Sequence, residues 1–443
     1  MKNKYLYIQT FGCQMNVHDS EQIASLLSGM GYECTDNIKL ADLIILNTCS
    51  IREKAAQKVY SQLGRIRKLK EQNPELIIGI SGCLAQHLGT KFHKKVDCLD
   101  FVSGTKCIHL IPEIINKVIK EKRKITEIDF HDSLSSINIF AAPGAGAISA
   151  FVTIMQGCNN FCSYCVVPYL RGREFSRSSD DIIEEVKKLA DLGIKEITLL
   201  GQNVNSYGNT LSDGTNFTSL IKKIAKIDGI KRIRFTTSHP RDLSVKLMNC
   251  FAEEEKLCKH IHLPVQSGSN NILMLMKRGY TIEEYIKKIN YMREINSQIS
   301  ITSDIIVGFP GETRKDYQET IDMMEKIRFD STFSFKYSDR EGTAAQKLKG
   351  KVTEDEKLSR LKQIQMLQNQ HTLEKNTEME GKMQEILVEE KSKNSENDLM
   401  GRTSSSKIVN FEGETDLIGQ IVKVKISKAY LHSLRGALEK NGR

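Results

Sequence analysis

Nowhere does this sequence hold an apolar run of the ~18–20 residues that a helix needs to cross a bilayer, which excludes a helical membrane span. The first residues, Met1-Lys2-Asn3-Lys4-Tyr5-Leu6-Tyr7-Ile8, lead directly into alternating apolar positions. They carry no signal-peptide core and no small-residue cleavage site, so a cytoplasmic protein is expected. Tryptophan is absent, prolines number only 7, and the 29 glycines follow no period. That excludes collagen-like character, and no Gln/Asn-rich tract, long low-complexity tract or fixed-period repeat is present. Disorder as the dominant state is excluded too, because 40% of the chain is hydrophobic and 27% charged, the balance of an ordinary globular protein. At ~150 residues per domain, the 443 residues suggest about three domains.

Lys plus Arg number 64 and Asp plus Glu 55, a net charge of +9 that suits an RNA-binding enzyme without requiring one. The densest basic stretch holds Arg52, Lys54, Lys58, Arg65, Arg67, Lys68 and Lys70 against Glu53 alone. It reads equally as a solvated helix face or a phosphate-contacting one. The 11 cysteines are an odd number in a chain without an export signal, so a disulfide framework is not expected. They also exceed what packing needs, which turns attention to metal or catalytic use.

Along the chain, residues 1–140 alternate strand and helix. Strands are expected at Tyr5–Thr10, Leu43–Thr48, Leu76–Ile80 and Phe101–Gly104, with helices at Val17–Met30, Glu53–Leu69 and, more weakly, Ala85–His93. This pattern predicts an open parallel α/β sheet covered on both faces. Small residues at 141–149 form a linker. Six strand–helix repeats follow in residues 150–373, with strands at Phe151–Gln156, Glu196–Leu200, Arg232–Thr237, His260–Pro264, Ile299–Val307 and Thr332–Tyr337. They predict a partial (β/α)6 barrel, closed off by a charged helix, Glu354–Leu373. Residues 374–443 change to short alternating segments, among them Met383–Glu390, Ile408–Asn410 and Ile421–Lys428, and predict a small all-β barrel of the OB type.

Two cysteine constellations stand out. Cys158, Cys162 and Cys165 lie on one loop after the first barrel strand. Three thiolates so spaced can grip three corners of an iron–sulfur cubane and leave the fourth iron open. The alternative, a zinc site, would want a fourth ligand close by and paired Cys-x2-Cys knuckles; only one such pair exists, and no His follows within a dozen residues. The spacing, with the aromatic Tyr164 before the third cysteine, resembles the signature of the radical S-adenosylmethionine enzymes. Cys13, Cys49 and Cys83 each follow an expected strand of the first domain. In an open parallel sheet, ligands bind beyond the carboxyl ends of the strands, so these thiols can converge on a second 4Fe–4S cluster. The plainer alternative is three small hydrophobes in the core. Cys34, Cys98, Cys107, Cys250 and Cys258 show no such regularity and read as packing residues.

Four motifs together resemble the methylthiotransferase family: Thr10-Phe11-Gly12-Cys13-Gln14-Met15-Asn16, Asn47-Thr48-Cys49-Ser50-Ile51-Arg52-Glu53, Gly82-Cys83-Leu84-Ala85-Gln86 and the triple-cysteine loop. The resemblance covers nearly the whole chain, and residues 374–443 resemble a TRAM domain. The Met15-Asn16 pair and the Ser50–Glu53 run resemble the branch acting on N6-dimethylallyladenosine at position 37 of tRNA. The resemblance implies that a methylthio group is placed on adenine C2. It implies two 4Fe–4S clusters and two S-adenosylmethionine molecules per turnover, one donating a methyl group and one serving as radical source. The tRNA anticodon stem-loop and an electron donor such as flavodoxin or ferredoxin would be the partners. Nothing in the sequence demands a second subunit, so a monomer is expected. One departure is visible: where the family commonly has Tyr-Ser-Pro-Arg-Pro-Gly-Thr, this chain has Tyr337-Ser338-Asp339-Arg340-Glu341-Gly342-Thr343.

Cosubstrate contacts are expected where the barrel's strand-to-helix loops begin, from Tyr164, Arg173, Gln202, Asn203, Ser238, His262, Gln266 and Asp304. Taken singly, Gln202 and His262 read equally as satisfied polar core residues. Arg171 and Arg173 could hold a phosphate or a carboxylate, or form an ion pair within the fold. Lys423, Lys425 and Lys428, with Gly401-Arg402-Thr403, suit RNA backbone contact. Rival readings are the same chemistry on N6-threonylcarbamoyladenosine or a ribosomal-protein aspartate, and a non-catalytic iron–sulfur RNA-binding protein.

Overall fold

A computed structural model describes residues 3–49, 53–129, 138–393, 395 and 397–439. Ser50, Ile51 and Arg52 of the second motif lie outside the described residues.

The N-terminal domain is a six-stranded parallel sheet in the order β2-β1-β3-β4-β5-β6. Its strands are β1 (Lys4–Thr10), β2 (Tyr32–Cys34), β3 (Leu43–Thr48), β4 (Ile77–Gly82), β5 (Phe101–Ser103) and β6 (Ile125–Glu127). Every residue of β3 and β4 is buried, as two-sided coverage requires. The pleat sends Leu43 and Ile45 into one core, with Ile23, Leu27 and Ile111, and Ile44 and Leu46 into the other, with Val59, Leu63 and Ile66. The short edge strands β2 and β6 have no long apolar run and were not foreseen. The first helix starts at Gln14 rather than Val17, with Cys13 as its N-cap. The weak helix divides into Cys83–Leu88 and Lys91–Lys95.

Strands β7 (Ser149–Thr153), β10 (Glu196–Leu200), β11 (Arg232–Phe235), β12 (His260–His262), β13 (Ser300–Val307) and β14 (Ser331–Lys336) supply the barrel. They form two parallel three-stranded runs, β11-β10-β7 and β12-β13-β14, linked by a bridge between Ile233 and Leu257. The expected Phe151–Gln156 strand is broken at Ile154. Beyond the break, β8 (Met155–Gln156) leaves the barrel and pairs antiparallel with β9 (Phe175–Ser176), framing the cysteine loop. The closing helix runs over Glu354–Thr377.

The last domain is a closed barrel in the order β15-β16-β17-β19-β18, with strands Met383–Lys391, Asp398–Thr403, Ile408–Glu412, Leu434–Leu438 and Ile421–Ala429 in that order. One parallel pair, β17 with β19, in an otherwise antiparallel closed barrel is the OB arrangement. It caps the strand-start end of the central barrel. There Arg232 and Arg234 donate to the carbonyls of Arg402, Glu385, Ser404 and Thr403, and Lys407 pairs with Asp330. The N-terminal domain packs at the opposite end. Arg171 pairs with Asp19 at 2.7 Å, and the Thr105 hydroxyl donates to the Leu170 carbonyl. The carboxyl ends of both sets of strands thus meet.

Candidate active site

The loop carrying Cys158, Cys162 and Cys165 is clamped by backbone. Gly157 has φ +81°, and a Cβ there would lie 2.0 Å from the Arg173 carbonyl oxygen, so glycine is required. The Gly157 N–H donates to the Gln202 side chain, and Cys158 N–H to the Gly172 carbonyl. Ser163 ties the loop to Leu275 and Met276. Arg278 is buried over the loop. It donates to the Cys162 sulfur at 3.3 Å and to the Tyr164 hydroxyl at 3.4 Å, and is anchored on the Pro264 carbonyl. The three thiols interact with one another. Burial pushes Cys158 up to about 11 and Cys165 up to about 12, with the neighbouring Cys162 adding to the rise in both. Thiols so placed stay protonated at neutral pH unless a metal centre displaces the proton, which is the chemistry of a thiolate-held cluster.

The second triad gathers at the ends of β1, β3 and β4. Gly12 stands so close to Cys49 that a Cβ there would lie 2.5 Å from the Cys49 Cβ. Gly82, at φ +89°, lets β4 turn against Asn47 and Thr48. Asn16 Nδ2 donates to the Thr48 carbonyl at 2.9 Å and the Phe11 carbonyl at 3.2 Å, tying two of the strand ends together. The Cys13 thiol donates to Asn16 Oδ1. Cys83 feels the charges of Arg171, Cys49 and Cys13; burial is the larger effect and pushes it up to about 11. Cys49 and Cys83 are buried and Cys13 is exposed, so the triad opens outward on one side. Among the described residues no set of three His, Cys, Asp or Glu, the two thiol triads included, is placed to hold a single metal ion.

The two triads are neighbours. Cys83, Val166 and Leu170 form one apolar contact cluster, and Val166 directly follows Cys165. The helix Val167–Arg171 therefore has one thiol triad at its start and reaches the other with its last side chain.

Around the triple-cysteine loop the strand ends present buried polar atoms without partners: Asn203 Oδ1, Ser238 Oγ, His239 Nε2, Gln266 Oε1 and Glu174 Oε1. Buried polar atoms of this kind ordinarily find a partner in the protein, in a bound water or in a ligand. Thr237 and Gln266 hold φ values of +67° and +75°, strain that clusters at functional sites. A polar nucleoside and amino-acid ligand such as S-adenosylmethionine fits this cradle.

The expected contact residues fall into distinct settings. Asn203, Ser238 and Gln266 offer free atoms to the cradle. Gln202 holds the cysteine loop. His262 bonds Thr302 at 3.0 Å and faces Asp304 at 3.4 Å, and Asp304 lies inside β13 rather than at its end. Tyr164 packs edge-on to Phe309. Arg173 is exposed, lying over the Phe161 ring. Arg171 takes the ion-pair role. Two residues were missed, Arg278 and Glu174, which accepts from Ser206 at 2.8 Å and whose carboxyl is raised by burial. In the departing loop, Asp339 accepts from the Tyr337 hydroxyl at 2.9 Å and pairs with Lys351, pinning by side chains what proline would stiffen.

Comparison with known proteins finds three family matches along the chain. Residues 152–324 match the Radical SAM superfamily, residues 5–104 the Uncharacterized protein family UPF0004, and residues 377–438 the TRAM domain. The chain is 59% identical over 438 residues to the tRNA-2-methylthio-N(6)-dimethylallyladenosine synthase of Syntrophus aciditrophicus, covering 99% of this chain and 95% of the relative. It is 49% identical to the enzyme of that name from Geobacter sulfurreducens, covering 99% and 98%. Among solved structures, the radical S-adenosylmethionine methyltransferase TsrM of Kitasatospora setae, with cobalamin and a 4Fe–4S cluster bound, aligns at TM-score 0.57 and 14% identity, covering 78% of this chain and 77% of that one. That likeness is one of fold.

Proposed function

The chain belongs to the family of tRNA-2-methylthio-N6-dimethylallyladenosine synthases, radical S-adenosylmethionine enzymes, and on that premise we propose how its residues divide the work. The reaction replaces the C2 hydrogen of N6-dimethylallyladenosine at position 37 of tRNA by a methylthio group. Cys158, Cys162 and Cys165 hold one 4Fe–4S cluster, and Cys13, Cys49 and Cys83 hold the other. When bound, the first cluster with S-adenosylmethionine would supply radical chemistry, and the second would hold the sulfur that is transferred. Asn203, Ser238, His239, Gln266 and Glu174 orient the cosubstrate. The observation that supports this reading is the packing of Cys83 against Val166 and Leu170, with Val166 next to Cys165 in the chain.

The chain's own residues make this chemistry workable. An aromatic C2–H has no acidic proton, so no general base can prepare it, and a carbon radical is the species that can attack there. The target base must leave its stack, which costs little in an unpaired anticodon loop. Phe333 and Phe335 face the barrel lumen, 56% and 40% exposed. Their register partners, Asp304 and Ile306, point away from the helix-packed core that takes Ile305 and Val307. Base stacking on such a ring contributes about 1–3 kcal/mol. On the C-terminal barrel, Lys423, Lys425 and Lys428 are exposed on β18 and suit phosphate contact, whereas Arg402 turns to Glu389. No described helix is long and apolar enough to cross a membrane. The chain works as a monomer and takes electrons from a small protein of the flavodoxin or ferredoxin class.

The test is an anaerobic assay of the reconstituted full chain with reductant, S-adenosylmethionine and three anticodon stem-loops, bearing dimethylallyladenosine, threonylcarbamoyladenosine or plain adenosine. Nucleoside analysis should find methylthio product from the first alone. Product from the threonylcarbamoyl stem-loop in its place would reassign the substrate.

A further inference from the structure

Arg171 belongs to the central barrel yet ends inside the thiol triad of the N-terminal domain. Its side chain is buried, with the residue 3% exposed. Nη2 donates to Asp19 Oδ2 at 2.7 Å and lies 3.5 Å from Asn16 Oδ1. Nη1 is buried without a hydrogen-bond partner that its geometry satisfies, and the guanidinium's other close charges are Cys83 and Cys13. Of the charges acting on Cys83, that of Arg171 is the largest.

We propose that Arg171 is a positioning residue of the auxiliary centre, presenting a fixed positive charge to the cluster held by Cys13, Cys49 and Cys83, with Asp19 aiming it. The proposal rests on the cluster assignment made above for those cysteines. Burying an ion pair gains little for stability by itself, because desolvation consumes most of the attraction. The charge and side-chain hydrogen bonding of Arg171 also act on the Cys83 thiol, which gives this pair a second use. A cluster gains a negative charge on reduction, and hydrogen bonds and nearby charge set its potential. Arg171 therefore favours the reduced state. Asp19, paired with the guanidinium at 2.7 Å, offsets part of that charge.

Two substitutions then act in opposite directions. Arg171→Gln removes the near positive charge and leaves Asp19 unpaired. Asp19→Asn leaves the positive charge uncompensated. Arg171→Lys retains the charge. The double variant Arg171→Gln, Asp19→Asn leaves no buried charge unpaired and keeps the protein foldable if a single variant fails.

The experiment is a potentiometric titration of the full chain carrying alanine at Cys158, Cys162 and Cys165, so that only the auxiliary cluster loads. Arg171→Gln should shift the reduced-to-oxidised ratio at fixed potential at least tenfold toward oxidised, about 59 mV for a one-electron couple. Asp19→Asn should shift it toward reduced. Arg171→Lys should stay near the parent, and the double variant should shift toward oxidised by less than Arg171→Gln. A common direction for Arg171→Gln and Asp19→Asn, or no shift in Arg171→Gln and the double variant, overturns the proposal. A parent that binds no iron contradicts the cluster assignment itself, an outcome separate from either.

Discussion

Alanine at Cys13, Cys49 or Cys83 will leave reductive cleavage of S-adenosylmethionine running and abolish methylthio product. The reason lies in what holds each triad. The Cys158–Cys165 loop is fastened by Gly157, Gly172, Gln202, Met276 and Arg278, all within the central domain. The other triad is fastened by Asn16, Thr48 and the glycines of three strand ends. Losing one of its thiols removes one of three protein ligands and touches none of the hydrogen bonds that fasten the first loop. The stability loss should stay within the roughly 0.5–3 kcal/mol of ordinary single substitutions. Measuring cosubstrate cleavage and modified nucleoside in the same reaction separates the outcomes. Intact thiomethylation in any one variant would remove that cysteine from the site.

Gly157→Ala will do the reverse, suppressing cosubstrate cleavage at least ~100-fold, the scale on which a ~1 Å misplacement of reacting groups is felt. The backbone at φ +81° is strained for alanine, by roughly 1–2 kcal/mol. Worse, the added methyl would meet the carbonyl oxygens of Arg173 at 2.0 Å and Gly172 at 2.6 Å, backbone atoms that cannot rotate away. The loop must lift off β9, carrying Cys158 with it. Gly144→Ala is the control, since a Cβ there meets nothing within 4 Å. A Gly157→Ala protein that cleaves the cosubstrate at the parent rate would show that the loop geometry is not what seats the cluster.

The cysteine pattern was legible because each of its six thiols sits where a strand ends or where three crowd one loop, and both facts are local. The OB barrel was legible from Met383, Ile408 and Ile421 onward, although β16 and β19 passed unnoticed: Gly401 and Gly436 interrupt their alternation. Arg278 was not legible. It reaches Cys162 across 116 residues, and nothing near it in sequence says that its helix end folds back over the loop. Gln202 and His262 illustrate the opposite limit. Their position at strand ends was readable, but whether a polar side chain there serves a ligand or its own backbone depends on neighbours brought in by the tertiary fold. Arg171 was read as an anion binder or an ion-pair partner; only its distance from Asp19 decided between them.

Two three-thiol sites, each with an open corner, are the central feature of this chain, and iron stoichiometry tests them most directly. The anaerobically reconstituted full chain should hold about eight irons, and about four when either triad is replaced by alanine. A count of about four in the unaltered chain, unchanged by loss of Cys13, Cys49 and Cys83, would contradict that arrangement.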